Sequence, residues 1–138
     1  MRRNAAAMDV PMITLSRLNA MNLKVRDLDA SLAWYSRHFG FSPQYPVEGG
    51  IVIAVNGIEL VLSPHDDPGA PLADPRACRC IHTLGFEVSV VEFLAVKAEF
   101  MEDADRIEID QPEFASIIVS DPDGYCIEVF YNKTAAAE

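Results

Sequence analysis

Basic residues are scarce. Eleven Lys and Arg face 21 Asp and Glu, a formal net charge of −10, which opposes non-specific binding to nucleic acid or to an anionic membrane. Long apolar runs are missing, and no stretch approaches the roughly 20 residues of a membrane span. The N-terminal MRRNAAAMDVPM has two Arg but no extended apolar segment behind them, so it does not read as a signal peptide. Cysteine is few and odd in number, three in 138 residues, too few for a disulfide scaffold. Apolar residues are plentiful. They make up half of the chain, enough for one domain with a sizeable core or two very small halves that share one. The expectation is a soluble, cytoplasmic, single-domain protein with no nucleic-acid or membrane partner.

Strand and helix signals alternate. Leu18 to Val25 reads as a strand, with Leu23 and Val25 on one face and Asn22 and Lys24 on the other. Asp27 and Asp29 supply N-cap chemistry, and Leu28, Leu32, Tyr35 and Phe39 recur as one helical stripe closed by Gly40. Residues 42–50 (SPQYPVEGG) read as a loop. IVIAV (51–55) and IELVLS (58–63) read as a hairpin around Asn56-Gly57. After a Pro-rich connection the order repeats. Ile81 to Val88 is a strand, Ser89 opens a helix bearing Phe93, Val96 and Phe100, Arg106 to Ile109 and Phe114 to Val119 are strands, Asp121-Pro122-Asp123-Gly124 is a turn, and Tyr125 to Tyr131 is the last strand. Leu23 and Val25 match Phe86 and Val88, and the Gly57 turn matches the Gly124 turn. Neither half buries its apolar face alone, so the two pack together. The fold class is α+β, with helices outside a mostly antiparallel curved sheet.

MNLKVRDLDASLAWYSRHFGF, GIELVLS, LGFEVSVVEFLAV and DPDGYCIEVF resemble the opening and closing strands of the two modules of the vicinal-oxygen-chelate superfamily, which includes glyoxalase I, bleomycin-resistance proteins, fosfomycin-resistance enzymes and extradiol dioxygenases. The resemblance covers about residues 15–132 and is diagnostic of the superfamily rather than of one member. It implies two tandem βαβββ modules, at about 15–63 and 80–132, joined by a 64–79 linker and forming a cupped half-barrel. Residues 1–14 and 133–138 are then flexible ends. It also implies that a small-molecule ligand binds in the cup and that homodimers form.

In metal-using members of the family two ligands, usually His, lie near the start of each module's first strand, and two, usually Glu or Gln, lie on each last strand. Here the acidic positions are filled by Glu59 and Glu128, while the His positions fall on Ala20 and Thr83. Alanine has no donor atom, and a neutral Thr hydroxyl is a poor ligand for a divalent transition metal. No metal and no other cofactor is therefore expected, and glyoxalase activity is not carried over. His82 lies one residue from a ligand position, and strand alternation points it away from the cup. A β-bulge eased by Gly85 would re-aim it; otherwise it packs beneath the helices or lies near the surface. Cys78, Cys80 and His82 share one face of an extended segment but lack an evident fourth zinc ligand.

A period of two places Ala20, Asn22 and Lys24 in the cup together with Thr83, Gly85 and Glu87. On the closing strands Val61 and Ser63 accompany Glu59, and Cys126 and Phe130 accompany Glu128. Lys24 and Glu87 either pair across the cup, hold a charged ligand or form a rim salt bridge of little worth. Glu59 and Glu128, if they converge without a metal, cannot both ionise cheaply. They are candidate catalytic acid–base residues, unless neighbouring hydroxyls satisfy them and they only shape the pocket.

Three functions follow from these residues. The first is a metal-free protein that binds or sequesters a bulky organic ligand, with Ala20, Asn22, Lys24, Thr83, Glu87 and Cys126 as its contacts. The second is a lyase, isomerase or cyclase of the same superfamily in which Glu59 or Glu128 abstracts a proton next to a carbonyl, with Lys24 or Asn22 stabilising the oxyanion. The third is a divalent metal held by Glu59 and Glu128, completed by water or His82.

Overall fold

The computed structural model describes residues 12–67, 69 and 83–136. The expectations about the leader, the central linker, Cys78, Cys80 and His82 fall wholly or largely outside these residues. The first module comprises β1 (Met21–Val25), α1 (Leu28–Phe39), β2 (Ser42–Val47), β3 (Gly50–Val55) and β4 (Ile58–Pro64). The second comprises β5 (Thr83–Glu87), α2 (Val90–Glu99), β6 (Ile107–Asp110), β7 (Phe114–Ser120) and β8 (Cys126–Asn132), followed by a short helical turn, α3 (Lys133–Ala136).

Local chemistry sets the boundaries. The Asp27 carboxylate accepts from the Ala30 N–H at 3.0 Å and caps α1. Arg37 and His38 lie at the other end of α1, where the helix dipole favours cations. Gly40 ends the helix in the left-handed region, at φ 76°, and its N–H returns to Ser36 O. The Ser89 hydroxyl accepts from the Glu92 N–H at 3.3 Å and opens α2. Asn56 and Gly57 both have positive φ, 49° and 80°, as a tight hairpin between β3 and β4 demands.

Each module forms a four-stranded sheet, in the orders β1-β4-β3-β2 and β5-β8-β7-β6. The first and last strands of a module run parallel and the other pairs antiparallel, so the sheets are mixed and do not close into a barrel. One expectation fails. The segment expected to be a loop, 42–50, forms an edge strand over Ser42–Val47, with a register shift between Pro43 and Tyr45. An edge strand tolerates the missing N–H of Pro43 and Pro46, and the shift absorbs the irregularity. Proline content is thus a poor veto at a sheet edge.

Alternation along β4 and β8 sorts the residues into two faces. Leu60, Leu62, Ile127 and Val129 are buried, and they join Leu23, Val25, Tyr35, Phe41, Ile53, Phe93, Phe100 and Ile117 in one apolar cluster drawn from both modules. Glu59, Val61, Ser63, Cys126, Glu128 and Phe130 occupy the opposite face, called here the cup face. The helices cover the core side. Trp34, Tyr35, Phe39 and Phe41 pack among themselves, and Trp34, His38 and Phe39 meet Phe100 from the second module. No helix among the described residues is long and apolar enough to cross a membrane.

A polar clasp also joins the modules. Tyr35 Oη donates to Asp121 Oδ2 at 2.5 Å, and Ser31 Oγ donates to Asp123 Oδ2 at 3.2 Å. The Arg26 backbone N–H and its Nε both reach Asp123 Oδ1, at 2.9 and 3.3 Å. The turn keeps its own shape because Asp121 Oδ1 accepts the N–H groups of Asp123 and Tyr125, each at 2.9 Å. Burial is the main reason that Asp121 titrates above the usual carboxylate range, even though these three donors oppose the shift. Burial, and then the Asp121 charge, likewise holds the Tyr35 phenol well above its ordinary value.

Candidate functional site

Two cavities take up the two acidic residues, Glu59 and Glu128. The first, about 410 Å³, takes Ala20 from the entry to β1 and Glu59 from β4, with Thr83, Gly85 and Phe86 of β5 opposite them. It therefore draws its walls from both modules. The second, about 440 Å³, holds Glu128 and Phe130 of β8 with Phe114 of β7, and Glu113, Asn132 and Thr134 at its edge. Gly85 lines the first, and its strand neighbour Glu128 lines the second. A Cβ built at Gly85 would stand 3.7 Å from Glu128 Oε1, at ordinary contact distance, so any side chain longer than alanine would crowd the carboxylate.

The structure brings together only part of the expected site. Ala20, Glu59 and Thr83 share one cavity, and Glu128 stands in the next. Asn22 and Lys24 lie on the exposed face of β1 and line neither. Asn22 Oδ1 accepts from the buried Ser63 hydroxyl at 2.7 Å, and the Lys24 carbonyl accepts from Tyr125 Oη at 3.1 Å. Glu87 lines a third cavity of about 500 Å³, between the modules, with His38, Asn56 and Glu92. Among the described residues no ion pair joins Lys24 to Glu87. Cys126 is half-buried and pairs with Thr83 and Ser120 in the sheet.

The donor set does not fit the four-ligand metal centre that the fold implies. In the parallel register the strand neighbour of Glu128 is Gly85, and that of Cys126 is Thr83. Ala20 and Gly85 offer no side-chain donor, and the Thr83 hydroxyl is a weak one for a transition metal. No group of three or more His, Cys, Asp or Glu assembles among the described residues. Among the described residues no imidazole stands beside Glu59 or Glu128.

One residue escaped the sequence reading. Ser116 interrupts the apolar run of β7 on the same face as Phe130, its cross-strand partner. It is 1 % exposed, and its hydroxyl has no hydrogen-bond partner among the described residues. Leaving a hydroxyl buried and unpaired costs about 1–3 kcal/mol, so its presence on a cup face calls for a reason. The signal was the inner of the two Ser in FASIIVS, which shares the parity of Glu128 once β7 and β8 are set in register.

The fold is shared with several solved structures. A glyoxalase/bleomycin resistance protein/dioxygenase domain from Frankia sp. EAN1pec is 23 % identical, with 87 % of this chain and 94 % of that chain covered and a TM-score of 0.71. A lactoylglutathione lyase from Agrobacterium tumefaciens is 21 % identical, with 87 % and 96 % covered and a TM-score of 0.66. A virulence protein from Salmonella typhimurium is 20 % identical, with 87 % and 99 % covered and a TM-score of 0.63. At these identities the likeness speaks for the fold alone. No curated protein matches the chain. Two βαβββ modules with acidic residues retained on their last strands are thus accompanied by a match of residues 17–129 to the family profile, and the chain belongs to the Glyoxalase/Bleomycin resistance protein/Dioxygenase superfamily.

Proposed function

We propose that this protein binds a bulky organic small molecule across the two cavities and does so without the family's imidazole-held metal. The observation that carries the reading is the pair of cavities on adjacent strands, Gly85 lining one and its strand neighbour Glu128 the other. They measure about 410 and 440 Å³, their walls are largely apolar, and the positions beside Glu59 and Glu128 are alanine and glycine. Shape and a few polar groups, rather than a metal, then do the selecting.

The test is calorimetric titration with a panel of polycyclic and aromatic compounds, in the presence and absence of EDTA. Binding in the micromolar range or tighter is expected, unchanged by chelator. Gly85→Leu, which puts a large side chain on the wall of the first cavity and against Glu128 from an exposed strand position, is expected to abolish it while the fold survives. Affinity that vanishes with EDTA, or survives Gly85→Leu intact, refutes the proposal.

A second reading rests on Glu59 and Glu128, which have no hydrogen-bond or ion-pair partner among the described residues and face cavities. In this reading either carboxylate takes a proton from a bound carbon acid next to a carbonyl. Glu59→Gln and Glu128→Gln separate the readings, because a base is lost with turnover while affinity persists.

A further inference from the structure

The two modules repeat a fold but not a surface. On the cup face of the second sheet, the register sets Ser116 between Phe130 on β8 and Ile109 on β6, with Phe114 and Ile118 as its same-strand neighbours. Ile118 in turn faces Glu128, which neighbours Gly85. The result is an apolar, aromatic collar around a hydroxyl that bonds to nothing among the described residues, with a carboxylate at the next same-face position of β8. None of the residues that share this face through the register is Lys or Arg, and Glu128 has no ion-pair partner among the described residues. Glu113 adds a second carboxylate at the rim. In the first module the counterpart face carries Lys24, and its buried Ser63 already bonds Asn22.

We propose, resting on the small-molecule reading above, that the cup face of the second module takes an organic cation: an amine on a flat apolar skeleton, stacked on Phe114 and Phe130, with its ammonium at Glu128 and Ser116. The chemistry fits from three sides. Aromatic faces attract a cation lying over them. A carboxylate without a protein partner at a cavity wall gains a charge-assisted hydrogen bond from an ammonium. The Ser116 hydroxyl, an acceptor as well as a donor, receives an N–H that reaches past the edges of the half-buried Phe114 and Phe130 rings. A neutral or anionic ligand would leave Glu128 desolvated and unpaired.

The probe is proflavine, a planar aromatic cation, compared by fluorescence titration with acridine, which has the same ring frame and is neutral at about pH 8. Proflavine is expected to bind at least about tenfold more tightly than acridine. Glu128→Gln is expected to remove about that tenfold preference, and Glu113→Gln a smaller part of it. Glu102→Gln, an exposed acid after α2, removes none and so controls for attraction by the net charge alone. Ser116→Ala is expected to weaken proflavine several-fold without lowering the thermal midpoint, because no hydrogen bond of the free protein is lost. Equal affinities for proflavine and acridine, or equal effects of Glu128→Gln and Glu102→Gln, overturn the cation assignment and leave the small-molecule reading standing. Loss of midpoint in Ser116→Ala with proflavine affinity unchanged makes the hydroxyl structural and removes it from the site. If neither dye nor any compound of the wider panel binds, both readings fall together.

Discussion

Removing the Tyr35 hydroxyl tests whether the Asp121 clasp holds the two modules together. Tyr35 is fully buried and Asp121 is 5 % exposed, so Tyr35→Phe admits no water to replace the lost donor. Asp121 Oδ2 would keep no hydrogen-bond partner among the described residues, while Oδ1 retains the two backbone N–H groups. A hydrogen bond to a charged group is worth about 1.5–3 kcal/mol, and the stranded oxygen puts Tyr35→Phe near the upper end. For a chain of this length that corresponds to a fall of about 6–12 °C in Tm. Asp121→Asn keeps the shape, since its Oδ1 still accepts the two N–H groups and its Nδ2 donates to Tyr35 Oη. In a double-mutant cycle read by urea unfolding at neutral pH, a coupling energy of about 1–2 kcal/mol is expected. The pH dependence supplies an independent check. Burial raises Asp121 above its unfolded value of 3.8, so the native state holds this proton more tightly than the unfolded chain. The resulting contribution to stability is fully present below that unfolded value and is lost as pH rises through the folded one. Asp121→Asn therefore flattens the difference curve. Tyr35→Phe steepens it, because the Tyr35 bond opposes the upward shift. Identical pH profiles for the wild type and Asp121→Asn, or a coupling energy near zero, would show that the clasp is incidental to the packing of the modules.

Other positions test the fold more simply. Gly50→Ala is expected to cost more than about 3 kcal/mol, because a Cβ there would lie 2.4 Å from the Leu62 carbonyl oxygen and rigid backbone must move; a near-neutral urea midpoint would refute the β3–β4 geometry. Gly57→Ala meets nothing within 4 Å, so its cost is only that of a left-handed alanine, about 1 kcal/mol. Asp27→Ala removes the α1 cap and is expected to cost about 1 kcal/mol, with Asp27→Asn recovering most of it in the same denaturation assay.

Much of the fold was legible because short-range chemistry and long-range pattern agree. Asp27, Gly40, Asn56-Gly57 and Ser89 punctuate the chain where the periodicity changes, and the repeat doubles the information. The edge strand β2 was not legible, since its pairing comes from β3 and not from its own Pro-rich sequence. The site was less legible than the fold. Parity along β1 correctly assigns Asn22 and Lys24 to the cup face, but parity is silent on depth, and both lie away from the cavities. Glu87 has the same parity as Gly85, yet it sits at the far end of β5 and lines the cleft between the modules. Ser116 was missed for the opposite reason. A serine in an apolar strand looks like a small core residue until cross-strand register shows that it is on the other face.

Register also explains why a duplicated fold need not carry a duplicated site. In the first module Met21 pairs with Leu60, so Ala20 lies beside Glu59; in the second Thr83 pairs with Cys126, so Glu128 lies two positions further along its partner strand, beside Gly85. A metal centre built by symmetry would need both carboxylates to face equivalent donors at equivalent heights. Here neither neighbour carries one, and the two carboxylates line different cavities. Histidine at position 20 and at position 83 is therefore not expected to rebuild tight zinc binding. Ala20→His/Thr83→His, titrated with Zn²⁺ by calorimetry, should bind no more tightly than about the micromolar range expected of an incomplete, unsupported ligand set. Nanomolar affinity in that variant would mean that Glu59 and Glu128 already stand in chelating geometry, and the offset between the modules would lose its explanatory force.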